Sequence, residues 1–280
     1  MGARARQARK ASVGNALPHD SAHLHVSGRA AYTDDLPEPR DLLHVAVGMS
    51  RKPHARLRAI DLGDVLAAEG VIDVCLATDI PGENNCGPIV HDEAIFATDT
   101  VEYAGQAVFA VAANTVDQAR RAALLAKIDY EELEPVLDPL TAVEKGSFVL
   151  PSETLARGDA AAAIGNAPRR LQRRFTIGGQ DQFYLEGHIA MCLPQEDNGL
   201  LVYSSTQHPD EVQTLVAKAT RRDAKDIVVI CRRMGGAFGG KESQAALIAC
   251  IAAIAADRTG RSCKFRLDRD DDMIMTGKRH

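Results

Sequence analysis

The sequence predicts an α+β protein made of two α/β units, and three observations predict it. Short apolar runs alternate with helix-spaced patterns in the first half. A proline- and glycine-rich stretch then breaks the pattern. Two strand–turn–helix units follow in the second half. Strand, helix and strand inside one compact unit indicate mixed layering around a shared core.

The elements follow in order. Arg4, Arg6, Arg9 and Lys10 have no apolar stretch behind them, so residues 1–18 are expected to be a disordered arm rather than a secretory leader. Met1-Gly2 does not complete a myristoylation signal, because Arg6 stands where Ser or Thr is needed. In residues 19–140, the runs at 43–49, 71–77 and 107–112 read as strands. Asn114 is placed to cap a helix whose apolar positions are Val116, Ala119, Ala123 and Ala126. Residues 127–130 then return to an extended pattern. Residues 131–170 hold Pro135, Pro139, Gly146, Pro151, Gly158 and Gly165, a linker composition, and the boundary is expected within it, with 141–170 as the linker.

The second unit covers 171–280. Residues 183–193 and 200–204 read as strands joined through Asn198-Gly199, a hairpin signal. Pro209 suits a first helical position, and Asp210 and Glu211 suit the positive end of the helix. The turn carrying Ser205, Thr206, Gln207 and His208 therefore runs from strand to helix. Residues 227–231 form the next strand, a glycine-rich turn follows, and a helix spans about 243–257 with Gly260 beyond its end.

Composition excludes several classes. The net charge of -5 gives no electrostatic footprint for nucleic acid. No apolar run reaches the ~18 residues of a membrane span, so a cytoplasmic protein is expected. Cys75, Cys86, Cys192, Cys231, Cys250 and Cys263 include no C-x-x-C pair. They read as reduced, mostly buried thiols, and any iron–sulfur cluster belongs to another chain.

The turn from Gly235 to Glu242 holds Gly235, Gly236, Gly239 and Gly240. Glycines let backbone approach a ligand closely, and a following helix favours an anion. A nucleotide P-loop needs Ser or Thr after its lysine, and Glu242 stands there instead. Ala237 breaks the dinucleotide fingerprint. Taken alone, the turn also reads as tight strand–helix packing with Lys241 and Glu242 in solvent.

The turn does not stand alone. Arg233-Met234-Gly235-Gly236-Ala237-Phe238-Gly239-Gly240-Lys241-Glu242 resembles the cofactor loop of the xanthine dehydrogenase and aldehyde oxidase family, with Ala237 where xanthine dehydrogenases usually carry glycine. Gly178-Gly179-Gln180-Asp181-Gln182-Phe183-Tyr184-Leu185-Glu186 and Ser205-Thr206-Gln207-His208-Pro209 resemble two more of its motifs. The segments beginning at Leu267 and Thr276, and the earlier ones at His19, Tyr32 and Tyr103, also fit, so the resemblance covers residues 12–280.

That resemblance implies a small hammerhead-like α/β domain followed by the first part of a molybdopterin-binding domain. It implies a molybdenum centre held by a pterin dithiolene, which hydroxylates an electron-poor carbon of a heterocycle. It implies FAD and two [2Fe-2S] clusters on a partner subunit, NAD as acceptor, and a hetero-oligomer. By position, Gln207 and Phe238 match the molybdenum surroundings, and Gly236 and Gly239 match the cofactor loop. Glu242 matches the carboxylate that binds the purine ring; aldehyde oxidases tend to have an apolar residue there, so Glu242 favours xanthine or hypoxanthine over an aldehyde. The matching arginine, the glutamate base and most pterin contacts are expected outside these 280 residues, so the chain alone is expected to be inactive. A non-catalytic remnant or assembly module is one competing reading, and an oxidoreductase of the same family acting on an aldehyde or another N-heterocycle is the other.

Other constellations are weaker. Asp268, Asp270 and Asp272 imitate the start of a calcium loop, but Met273 stands at its glycine position, and a solvated acidic turn is expected. Ser205, His208 and Asp210 lack the elbow of a hydrolytic triad; His208 is expected to cap its helix. His44, His54, His91 and His188 are assigned no role.

Overall fold

The computed structural model describes residues 13–277. The basic positions of the amino-terminal arm, and residues 278–280 of the last motif, lie outside the described residues. The strands are β1 (Leu43–Met49), β2 (Ala55–Asp61), β3 (Val71–Leu76), β4 (Thr100–Val101), β5 (Ala107–Ala113), β6 (Lys127–Glu132), β7 (Ile189–Pro194), β8 (Leu200–Ser204), β9 (Ile227–Ile230) and β10 (Cys263–Arg266). The α-helices are α1 (Ala22–Val26), α2 (Gly63–Leu66), α3 (Val116–Ala123), α4 (Pro139–Lys145), α5 (Ala160–Asn166), α6 (Pro209–Thr220), α7 (Gln244–Thr259) and α8 (Arg269–Met275).

Seven strands form one mixed sheet in the order β3-β5-β1-β10-β7-β8-β9, and β4-β2-β6 form a second sheet. The late strand β10 lies between β1, which it pairs in parallel through Leu43–Cys263, and β7, which it pairs antiparallel through Cys263–Cys192. The two halves of the chain thus share one sheet.

The continuous apolar runs are explained by burial on both faces. Val45 and Val47 of β1 face a core completed by α6 and α7, whereas Ala46 faces a second core with α3 and β2. β5 alternates in the same way, with Ala110 and Ala112 toward α7 and Phe109 and Val111 toward α3. α7 is buried nearly all round and built largely of alanine, which lets a helix pack close to a sheet. Gly260 ends it in the left-handed conformation (φ 64°). No described helix is long and apolar enough to cross a membrane.

Three local expectations are corrected. The α3 cap is Thr115, whose hydroxyl accepts from the Gln118 N–H at 3.2 Å, rather than Asn114. The stretch 183–193 is a strand only from Ile189 onward; Phe183 has a φ of 49° and Glu186 is drawn into a turn, which breaks the extended run. The acidic turn is not solvated throughout: Asp268 caps α8 by accepting from the Asp271 N–H, and Asp272 is buried. The hairpin does form at 195–199, and all six cysteines are free thiols, five of them buried.

Between α4 and β7 the chain has little cover. α5 buries no residue, and Leu155, Leu171, Phe175, Ile177 and Leu185 stand exposed.

Candidate functional site

Strands β8 and β9 run parallel, with Tyr203 opposite Ile230. Both therefore release their turns at the same end, the end where open α/β sheets bind ligands. The turn 205–208 leads into α6 and the glycine-rich turn into α7. The sequence motifs on these two turns meet directly. The Gln207 N–H donates to the Lys241 carbonyl at 2.9 Å. In return, Gln207 Oε1 accepts from the Gly239 and Lys241 N–H groups at 3.1 and 3.3 Å. The amide oxygen is thereby committed, and the Gln207 Nε2 hydrogens carry no bond within the described residues.

The glycine-rich turn owes its shape to what lies beneath it. A Cβ at Gly235 would come within 2.5 Å of Glu186 Cβ, and one at Gly240 within 2.6 Å of the Tyr184 ring. Gly236 and Gly239 have φ of 98° and 91°, a region that favours glycine. Phe238 takes φ 56° without being glycine, and the residue is 66% exposed. Such strain costs on the order of 1 kcal/mol or more, and it gathers at functional sites. Glu242 is exposed to solvent. Burial raises the carboxyl pKa of nearby Glu211, His208 opposes this, and the charges of Asp210 and Glu242 add to it.

The P-loop geometry is absent. Lys241 is not in solvent and does not project from the turn; it is fully buried. Its ammonium donates to the Glu186 carbonyl at 2.7 Å and Ser205 Oγ at 2.8 Å, and it lies 3.3 Å from Glu186 Oε2. Burial lowers its pKa, against the pull of the Glu186 carboxylate. Three of the amides expected to attract an anion are taken: Gly235 N–H donates to Glu186 Oε2, and Gly239 and Lys241 to Gln207.

Besides Lys241, His188 escaped sequence reasoning. His188, assigned no role, is fully buried, with Nδ1 3.0 Å from Asp272 Oδ1 and Nε2 3.1 Å from the Gly240 carbonyl. The Tyr184 hydroxyl donates to the same Asp272 oxygen at 2.7 Å. Burial works to raise the Asp272 pKa, but the His188 and Tyr184 contacts outweigh it and hold the carboxyl at about 2. The signal was a histidine four residues after Tyr184, just past the motif that ends at Glu186. His208 does occupy the cap of α6, but its side chain makes no cap bond; Thr206 Oγ1 instead accepts from the His208 N–H.

Among the described residues no group of three His, Cys, Asp or Glu side chains could hold a metal ion. The site offers hydrogen-bond donors and glycine backbone, a donor set that suits a cofactor bringing its own ligands.

Comparison with known proteins places these turns in a family. Residues 27–134 match the model of the aldehyde oxidase and xanthine dehydrogenase a/b hammerhead domain, and residues 144–280 match that of the molybdopterin cofactor-binding domain. The chain is 37% identical to xanthine dehydrogenase/oxidase of Gallus gallus and 39% identical to aldehyde oxidase 2 of Rattus norvegicus, each across 96% of this chain. The chain belongs to the xanthine dehydrogenase and aldehyde oxidase family. It spans 20% of the length of those relatives. Its fold matches that of the aldehyde oxidoreductase of Desulfovibrio gigas with a TM-score of 0.82 at 24% identity, covering 94% of this chain and 31% of that one. Chain and comparisons together give a molybdenum hydroxylase fold with a molybdopterin-binding portion.

Proposed function

We propose that this chain supplies one side of the active site of a molybdenum hydroxylase acting on a purine, xanthine or hypoxanthine. In the assembled enzyme, electrons leave through two [2Fe-2S] clusters and FAD on a partner subunit and reach NAD. When bound, the molybdenum–molybdopterin group takes two electrons from a substrate carbon as oxygen from water is added.

The observation that carries this reading is the orientation of Gln207. Its oxygen is pinned by two loop amides, so its Nε2 hydrogens are presented outward as fixed donors. Fixed donors need no reorganisation during reaction. Gln207 and Phe238 would border the molybdenum, while Gly236 and Gly239 would let the cofactor approach backbone. Glu242 would accept hydrogen bonds from the purine ring and set it in place.

The chain by itself is proposed to be inactive. Leu171, Phe175, Ile177 and Leu185 are apolar and exposed, and in a working assembly they would be covered by further polypeptide.

The substrate assignment is tested by Glu242→Val in the assembled enzyme. A hydrogen bond to a charged group is worth about 1.5–3 kcal/mol, so kcat/KM for xanthine should fall about 10- to 100-fold, and that for a small aldehyde should hold or rise. Equal loss for both substrates would sink the purine reading.

A further inference from the structure

We infer that Lys241, with Glu186 as its counter-charge, is the positioning residue that fixes Gln207 and the glycine-rich turn in register. The inference deepens the proposed function and rests on it only for the identity of what the turns hold.

The two turns are joined at their surface by Gln207 and beneath it by Lys241. Gln207 takes the Gly239 and Lys241 amides and gives its own N–H to the Lys241 carbonyl. The Lys241 side chain runs the other way, into the protein, where it is wholly buried. Its ammonium has three donors, and three acceptors lie within 3.3 Å: Glu186 O, Glu186 Oε2 and Ser205 Oγ. The Tyr184 ring lies 4.7 Å away. Glu186 extends the tie. Its Oε2 also accepts from Ser205 Oγ and from the Gly235 N–H, and its own N–H donates to the Gly235 carbonyl. One ion pair thus holds the start of the 205–208 turn and both ends of the glycine-rich turn.

A buried ion pair is a poor source of stability, since replacing both members with neutral groups is often harmless, whereas losing one strands the other. Its value here is geometric. Lys241 is the residue whose backbone orients Gln207, and its neighbour Glu242 carries the carboxylate proposed to meet the substrate. Any shift of Lys241 moves both.

The test compares Lys241→Met, Glu186→Gln and the double variant with wild type. The first readout is amide hydrogen exchange of this chain without cofactor, beside its melting temperature. The double variant should melt near wild type, because no charge is left stranded, yet segments 205–207 and 235–242 should exchange about tenfold faster or more while α7 and β5 keep their protection. If either single variant fails to fold, the double variant still decides the matter. Wild-type exchange in its turns, or a uniform rise across the whole chain, would overturn the inference. The second readout is the assembled enzyme, where the double variant should lower kcat through Gln207 and raise KM for xanthine through Glu242, and Lys241→Arg should not restore either, because a guanidinium does not fit the ammonium's enclosed site. Faster exchange in an assembly that never holds molybdenum would leave the brace standing and remove the proposed function instead.

Discussion

Replacing Gln207 separates the two jobs assigned to one side chain. In Gln207→Ala, the Gly239 and Lys241 amides lose their acceptor. Gly239 is exposed and regains water, but Lys241 is buried, so its N–H bears most of the penalty for an unpaired donor, about 1–3 kcal/mol. We expect a loss of about 2 kcal/mol, or a melting temperature lower by about 4–8 °C for a chain of this size. Gln207→Glu keeps an acceptor at the same reach. It should hold stability within about 1 kcal/mol of wild type, because charged acceptors strengthen such bonds while Glu211 and Glu242 nearby oppose added charge. Neither variant can donate, so both should lose about 10²- to 10³-fold in kcat, the usual cost of one lost transition-state donor. The assays are thermal unfolding of the chain and xanthine turnover of the assembled enzyme. A Gln207→Glu enzyme as active as wild type would refute the donor role. A Gln207→Ala chain of unchanged stability would refute the tie between the turns.

Three further outcomes follow from the same structure. The Asp272 carboxyl pKa is lowered to about 2 from an ordinary 3.8, so its contribution is present above pH about 4 and lost as pH falls toward 2; Asp272→Asn should remove up to about 2 kcal/mol of that acid-dependent stability in urea titrations, and identical pH profiles would contradict the buried pairing with His188. A Cβ on Gly48 would lie 1.9 Å from the Phe109 ring, so Gly48→Ala should cost about 1–3 kcal/mol by overpacking, with part recovered in Gly48→Ala/Phe109→Leu; no recovery would place the cost elsewhere. Phe175 is 83% exposed, so Phe175→Asp should leave the melting temperature unchanged and reduce light scattering by the isolated chain; a lower melting temperature would show that Phe175 is packed.

Local patterns made the central strands legible. β1 and β5 are apolar on both faces because cores lie on both sides of the sheet, and an unbroken run survives inspection of sequence alone. β2 was missed because Arg56, Arg58 and Asp61 give it an exposed, charged face, which resembles a loop. The insertion of β10 between β1 and β7 could not be read, since it depends on pairing Leu43 with Cys263, far apart in the chain. At the site, Gln207 and the glycine-rich turn were legible because turns between strand and helix carry strong local signals. Lys241 and His188 were misjudged because burial of a charge or an imidazole is decided by partners, here Glu186, Ser205 and Asp272, that no local pattern announces.

The central claim is that these two turns border a molybdenum cofactor. Its most direct test is metal analysis of the chain purified from its native host with every copurifying polypeptide retained. The account predicts near-stoichiometric molybdenum, together with flavin and iron, in the complex and none on the chain alone. A complex that contains this chain, flavin and iron–sulfur clusters but no molybdenum would contradict it.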